Sequence, residues 1–224
     1  MNRLRSPGGC PWDAEQTHQS LAKHALEEAH EVVEAIESGT RDDLLEELGD
    51  LLLQVVFHAR IAQEGDEPFD FDDVAEALAH KLRYRHPSVF PPESGESAPI
   101  EDDVTTIDQQ AVSWERLKQA EKQRDSQFDG VPGSLPALMR GQKILNRARR
   151  AQVIEDSEPV AEEVERRDES TADNIGRRML ALIAEADAAD IDAEEALRHV
   201  VREWEHTLRA KERENKEDKP QTTR

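Results

Sequence analysis

Positive charge is the first thing this chain lacks. Its 29 lysines and arginines stand against 50 aspartates and glutamates, a formal net charge of −21. Holding a nucleic-acid backbone needs a surplus of Lys and Arg to neutralise phosphates, so no nucleic acid is expected as a partner. Cysteine is nearly absent: Cys10 stands alone, no intrachain disulfide can form, and a reducing compartment follows as the simple reading. The opening MNRLRSPGGCPWD has no apolar stretch of signal-peptide kind. The longest apolar run, LLLQVVF, is far too short to span a bilayer. These absences together lead to the expectation of a soluble cytoplasmic protein with no membrane partner.

Glycine (10) and proline (11) are few and clustered. Between the clusters the apolar residues recur with a helical period, and no alternating strand segment stands out, so the expected class is all-α. SPGGCPWD reads as a turn-rich entry. The spacing predicts helices from about 17 to 38, 42 to 63, 71 to 84 and 108 to 124. The first carries Leu26, Ala29, Val33 and Ile36 as its apolar stripe, the second Leu44, Leu48, Leu51, Leu52, Val55 and Ala59. Between the first two, Gly39 suits the position after a helix end, and Thr40 can cap the next helix with Asp43 three residues on. Residues 91–106 are polar, acidic and Pro/Gly-bearing, and read as a loop. FDGVPGSLPALMRG looks like a boundary. Beyond it lie a basic helix with Lys143, Arg147, Arg149 and Arg150, a charged segment near 155–172, another helix pair and a frayed tail.

Two acidic pairs carry the chemistry. Glu28 and Glu31 stand one turn apart in the first helix, Glu47 and Asp50 in the second. Residues three apart are neighbours on a helix surface, so each pair can grip one hard cation. Two antiparallel helices would bring four carboxylates together, an oxygen-rich set suited to Mg²⁺ or Mn²⁺. Such pairs are ordinary on solvated helix faces. Here, however, like charges crowd without basic partners, and the second pair abuts the apolar run. Glu27 and His30 form a Glu-x-x-His, but di-iron bundles need a second such motif, and Glu46 and Glu47 lead forward to Gly49 and Asp50 with no histidine. Iron is therefore disfavoured. HKLRYRHPSVF adds a local positive spot, with Lys81 and Arg85 four apart, and SWERLKQAEK places Trp114 and Lys118 four apart. Cations beside a metal-binding carboxylate set are what a polyphosphate requires.

These segments resemble the MazG family of nucleoside triphosphate pyrophosphohydrolases. The resemblance covers residues 7 to about 150: GCPWDAEQTHQSL, LEEAHEVVEAI, EELGDLLLQVVFHA, KLRYRHPSVF, WERLK and SLPALMRGQKI follow one another in the family's order. The acidic motif alone is shared with all-α dUTPases and phosphoribosyl-ATP pyrophosphatases, whereas HPSVF and SLPALMR point to MazG. The resemblance implies hydrolysis of a nucleoside triphosphate between the α- and β-phosphates, Mg²⁺ as cofactor with Mn²⁺ as a substitute, and a helical bundle completed as a homodimer. It implies Glu28, Glu31, Glu47 and Asp50 as metal ligands. Lys81, Arg85 and Lys118 would hold phosphates, Trp114 would shape that site, and Trp12 and Gln16 would contact the nucleotide. Glu27 or Glu46 is a candidate to orient the attacking water, but one of the metal ligands could do so instead. The expected organisation is a catalytic domain over 1–125, a linker over 126–136, a second helical copy over 137–213 and a tail over 214–224. LLEELGDLLLQVVFHARIAQEG has a weaker counterpart in TADNIGRRMLALIAEADAAD, where Asn174 and Arg177 stand in place of Glu47 and Asp50. The second copy is therefore expected to be catalytically silent. The expected role is cleansing of the nucleotide pool. The competing readings are a non-enzymatic acidic regulator or scaffold that keeps the fold, and an enzyme narrowed to dUTP or a damaged dNTP.

Overall fold

Thr17 and Thr40 each open a long helix by the same device. The side chain of each accepts the main-chain N–H three residues on, and that residue's side chain, Ser20 or Asp43, accepts the threonine N–H in return. In the computed structural model of the chain, which describes residues 1–87, 89–90, 106, 126–154 and 171–217, the described residues form helices and no strand. The helices are α1 (Asn2–Arg5), α2 (Pro11–Glu15), α3 (His18–Ser38), α4 (Arg41–Ala62), α5 (Phe71–Arg85), α6 (Ala137–Arg150), α7 (Thr171–Ala188) and α8 (Ala193–Glu217). The first, second and third predicted helices correspond to α3, α4 and α5. The predicted helix at 108–124 lies outside the described residues, as does the predicted loop at 91–106 apart from Thr106. None of the described helices is long and apolar enough to cross a membrane. The chain divides into two units, Met1–Glu121 and Lys122–Arg224.

In the first unit α3 and α4 form an antiparallel hairpin. His18 meets His58 near one end, and Glu28 meets Gln54 further along. Leu21 and Ala35 of α3 and Phe57, Ala59 and Ala62 of α4 are buried. The expected stripes are only partly used. Leu26 and Ile36 remain 54% and 65% exposed, and Leu48, Leu52 and Val55 are exposed as well. The stripes are wider than the face that α3 and α4 turn to each other. Gly39 also differs from expectation. It is the C-cap of α3 in an extended conformation (φ −85°), not a left-handed residue beyond it. Its lack of a side chain matters for space, because a Cβ there would lie 2.8 Å from the Ala35 Cα and carbonyl oxygen. Two short helices that periodicity does not reveal flank the SPGG part of the turn-rich entry, α1 before it and α2 beginning within the entry at Pro11. Pro11 at the start of α2 is compatible with them, since the first helical position needs no N–H.

In the second unit Leu145, Ala148 and Ile183 are buried. A Cβ on Gly141 would lie 2.9 Å from the Ile183 Cδ1, so the absent side chain lets α6 approach α7 closely. Arg147, one of the cations of the expected basic helix, is buried and donates to the Gln127 and Asp129 carbonyls at 2.9 and 2.8 Å. Arg149 pairs with Asp187. Gln142 donates to the Ile191 carbonyl at 2.7 Å and accepts from the Ala193 N–H at 3.0 Å, which fixes the α7–α8 turn. Helix α8 continues through Glu217, into the stretch expected to be a frayed tail.

The His18 and His58 rings stack at 5.0 Å and share a hydrogen bond of 2.7 Å between their Nδ1 atoms, so one of the two nitrogens must be an unprotonated acceptor. Burial, and then the His18 charge, hold the His58 imidazole below its ordinary range. A depressed histidine pKa means that the unfolded chain takes up the proton first. The pair's contribution is therefore present above the unfolded histidine pKa and is lost as pH falls toward the folded one. Melting temperatures measured between about pH 7.5 and 5.5 should fall less steeply for His58→Gln than for the wild type; parallel curves would contradict this role.

Candidate metal and nucleotide site

The hairpin decides which acids meet. Glu28 of α3 faces Glu47 and Asp50, which stand one turn apart on α4. One carboxylate oxygen from each lies within 4.8 Å of the other two. Gln54, one turn beyond Asp50, donates from Nε2 to Glu28 Oε1 at 3.3 Å. Its side chain is buried, and its own carbonyl oxygen has no partner among the described residues. Sequence reasoning did not single out Gln54. The available signal was one amide inside LLLQVVF, a residue type that needs a polar partner when buried.

Electrostatics mark the same place. Burial pushes the Glu28 carboxyl above its ordinary range, and the Asp50 charge and the hydrogen bond and charge of Glu31 push in the same direction. Glu47 is raised for the same kinds of reason: burial first, then the charges of Glu31, Asp50, Glu46 and Asp43. Among the described residues, no basic side chain contributes to either shift. A donor set made only of carboxylate oxygens fits a hard divalent cation such as Mg²⁺ or Mn²⁺. A cation held there would offset the mutual repulsion that adds to burial in raising both pKa values.

The remaining residues singled out in the sequence occupy varied surroundings. Glu31 is exposed and outside the group of three, although its charge reaches both Glu28 and Glu47. Glu27 is exposed and engages His24 Nδ1 at 2.9 Å, and Glu46 is exposed next to Glu47. Lys81 is exposed on α5, whereas Arg85, at the end of that helix, is only 6% exposed. The two stand four apart on one helix, yet one meets solvent and the other is enclosed. Trp12 is 55% exposed and its ring lies edge-on to His24, with centroids 6.4 Å apart. Gln16 is tied into the α2–α3 corner: it donates to the Trp12 carbonyl at 3.0 Å and accepts from the Ser20 hydroxyl at 2.7 Å. Trp114 and Lys118 lie outside the described residues.

Comparison with known proteins points the same way. A family model described as the MazG nucleotide pyrophosphohydrolase domain matches residues 16–90, which include all the acids above. The nucleoside triphosphate pyrophosphohydrolase of Mycobacterium tuberculosis is 41% identical over 214 residues, 95% of this chain and 56% of that protein. That of Escherichia coli K12 is 47% identical over 151 residues, 66% of this chain and 54% of that protein. The nucleoside triphosphate pyrophosphohydrolase/pyrophosphatase MazG of Thermotoga maritima is 34% identical over 216 residues, 91% of this chain and 79% of that protein. The chain thus spans little more than half the length of the first two relatives and about four fifths of the third.

A carboxyl whose pKa is raised on folding favours the fold in its protonated form, and its unfavourable charge returns as pH rises through the raised value. Glu47→Gln should therefore melt above the wild type at neutral pH in chelator, with the difference closing as pH falls through the raised range. Millimolar Mg²⁺ or Mn²⁺ should raise the wild-type melting temperature by about 3–6 °C and the variant much less. Equal cation shifts in the two proteins, read by scanning fluorimetry, would contradict the assignment.

Proposed function

The chain belongs to the MazG family of nucleoside triphosphate pyrophosphohydrolases, and on that premise we propose that it hydrolyses NTPs or dNTPs between the α- and β-phosphates, giving a nucleoside monophosphate and pyrophosphate. The observation that carries this reading is the convergence of Glu28, Glu47 and Asp50 from two helices, their oxygens within 4.8 Å of one another. With Glu31, whose charge already reaches Glu28 and Glu47, these residues would hold Mg²⁺. A bound divalent cation supplies Lewis acidity toward phosphoryl oxygens and lowers the pKa of coordinated water.

The chain's own groups do the rest. Gln54 fixes one oxygen of Glu28 through its amide, so the carboxylate is oriented before a ligand arrives. Lys81, exposed on α5, supplies a mobile ammonium for the phosphates, and Arg85 supplies an anchored guanidinium. Lys118 and Trp114 join them in this reading. Trp12 offers an aromatic face to the base, with Gln16 holding the corner behind it. Glu27 or Glu46 orients the attacking water; the hydrogen bond between Glu27 and His24 leaves Glu46, beside Glu47, the less engaged of the two. The exposed Leu26, Ile36, Leu48 and Leu52 on α3 and α4 support a homodimer in which a second copy covers these faces. In α7, Asn174 and Arg177 replace the α4 acids of the internal repeat, which supports a catalytically silent second copy within residues 137–213. The setting we propose is cytoplasmic, with removal of unwanted nucleotides as the role.

A panel of ribo- and deoxynucleoside triphosphates assayed with Mg²⁺ should yield monophosphate and pyrophosphate, and none without a divalent cation. Glu47→Gln should lower kcat by about 10²–10³-fold, the scale of losing one strong electrostatic group, with helical content unchanged. Release of a nucleoside diphosphate and orthophosphate, or undiminished turnover by the variant, would contradict the proposal.

A further inference from the structure

Arg5, the last residue of α1, is enclosed by groups from other elements. Its side chain is 4% exposed. Nε and Nη2 grip Glu64 Oε1 and Oε2 at 3.2 and 2.8 Å, and Nη1 donates to the main-chain carbonyls of Asp13 and Gln16. The guanidinium carbon stands 5.6 Å from the centroid of the Phe57 ring. One side chain thus joins α1, the end of α2 and the last turns of α4. Enclosing a guanidinium is costly, and an apolar residue would hold such segments together as well or better. The fork adds direction, because it specifies where two particular carbonyls must lie.

Those carbonyls belong to the end of α2. A five-residue helix is not stable by itself, so what its end is tied to sets its orientation. The approach from α1 is equally constrained: a Cβ on Gly9 would lie 2.2 Å from the Leu4 carbonyl oxygen, and the Cys10 N–H donates to that same carbonyl at 2.8 Å. Helix α2 carries Trp12. Its main chain is held by Gln16, while its ring meets His24 edge-on and keeps much of its surface in solvent. His24 and Glu28 are four apart on α3, so successive turns place the indole and the carboxylate group along one helix.

We propose that Arg5 is a positioning residue for nucleotide recognition: by pinning the Asp13 and Gln16 carbonyls to the end of α4, it sets Trp12 where the base of a nucleoside triphosphate meets an aromatic face while the phosphates lie toward Glu28, Glu47 and Asp50. The inference rests on the reading of Trp12 as a nucleotide contact. It assigns Arg5 no contact with substrate and no part in the chemical step.

The test is a double-mutant cycle on the full chain with Mg²⁺ and a common NTP, run beside ribose 5-triphosphate, which lacks a base. Arg5→Ala and Trp12→Ala should each raise KM for the NTP about tenfold, the scale of one lost stacking contact, with kcat within about twofold. The double variant should be no worse than Trp12→Ala alone, and KM for the base-free triphosphate should stay unchanged throughout. Arg5→Lys, which keeps the charge but not the fork, should fall between wild type and Arg5→Ala, and it carries the test if the alanine variant does not fold. An unchanged KM in Trp12→Ala would overturn the reading of Trp12 and this inference with it. A raised KM in Trp12→Ala, combined with an unchanged KM in the Arg5 variants, additive effects, or an equal loss on the base-free substrate, would reduce Arg5 to a structural staple and leave the Trp12 reading standing.

Discussion

Like charges brought together across a helix hairpin are the constraint from which the first unit is best understood. Glu28, Glu47 and Asp50 meet because α3 and α4 run antiparallel, and their meeting is unfavourable by itself: burial and mutual repulsion raise Glu28 and Glu47 above their ordinary range. The hairpin supplies the compensation elsewhere. Two reciprocal caps start its helices, Leu21, Phe57 and Ala59 are buried, and the close approach of Gly39 to Ala35 lets the chain leave α3 tightly. The fold thus stabilises an arrangement that a divalent cation would relieve, and strain of that kind collects where function does.

Features that depend on nearest neighbours in the sequence were legible. The Thr40–Asp43 cap, the extent of α3, α4 and α5, and the i, i+3 spacing of Glu47 and Asp50 are all local, and each has the form that local physics predicts. Features that depend on a distant partner were not. Arg5 looks like one basic residue among several until Glu64, 59 positions away, closes on it. Gln54 has meaning only once Glu28 stands opposite. The apolar stripes of α3 and α4 were visible, but the number of neighbours that would cover them was not, and in the chain alone Leu26 and Ile36 stay exposed. Glycine at position 39 could be read as a helix stop; the close approach behind it could not.

In the second unit the enclosed polar groups meet partners of the opposite kind. Arg147 fastens the 126–130 turn and Gln142 the α7–α8 turn through main-chain atoms, and Arg149 pairs with Asp187. Glu28, Glu47 and Asp50 of the first unit instead face one another, with the Gln54 amide beside Glu28. In the similar stretch of α7, Asn174 and Arg177 stand where α4 has Glu47 and Asp50.

The central claim, that these carboxylates gather around a divalent ion, is tested most directly by anomalous diffraction at the manganese edge from crystals soaked in Mn²⁺. The account predicts an anomalous peak ligated by Glu28, Glu47 and Asp50. Crystals that diffract well yet show no peak between these side chains, or show them turned to separate surroundings, would contradict it.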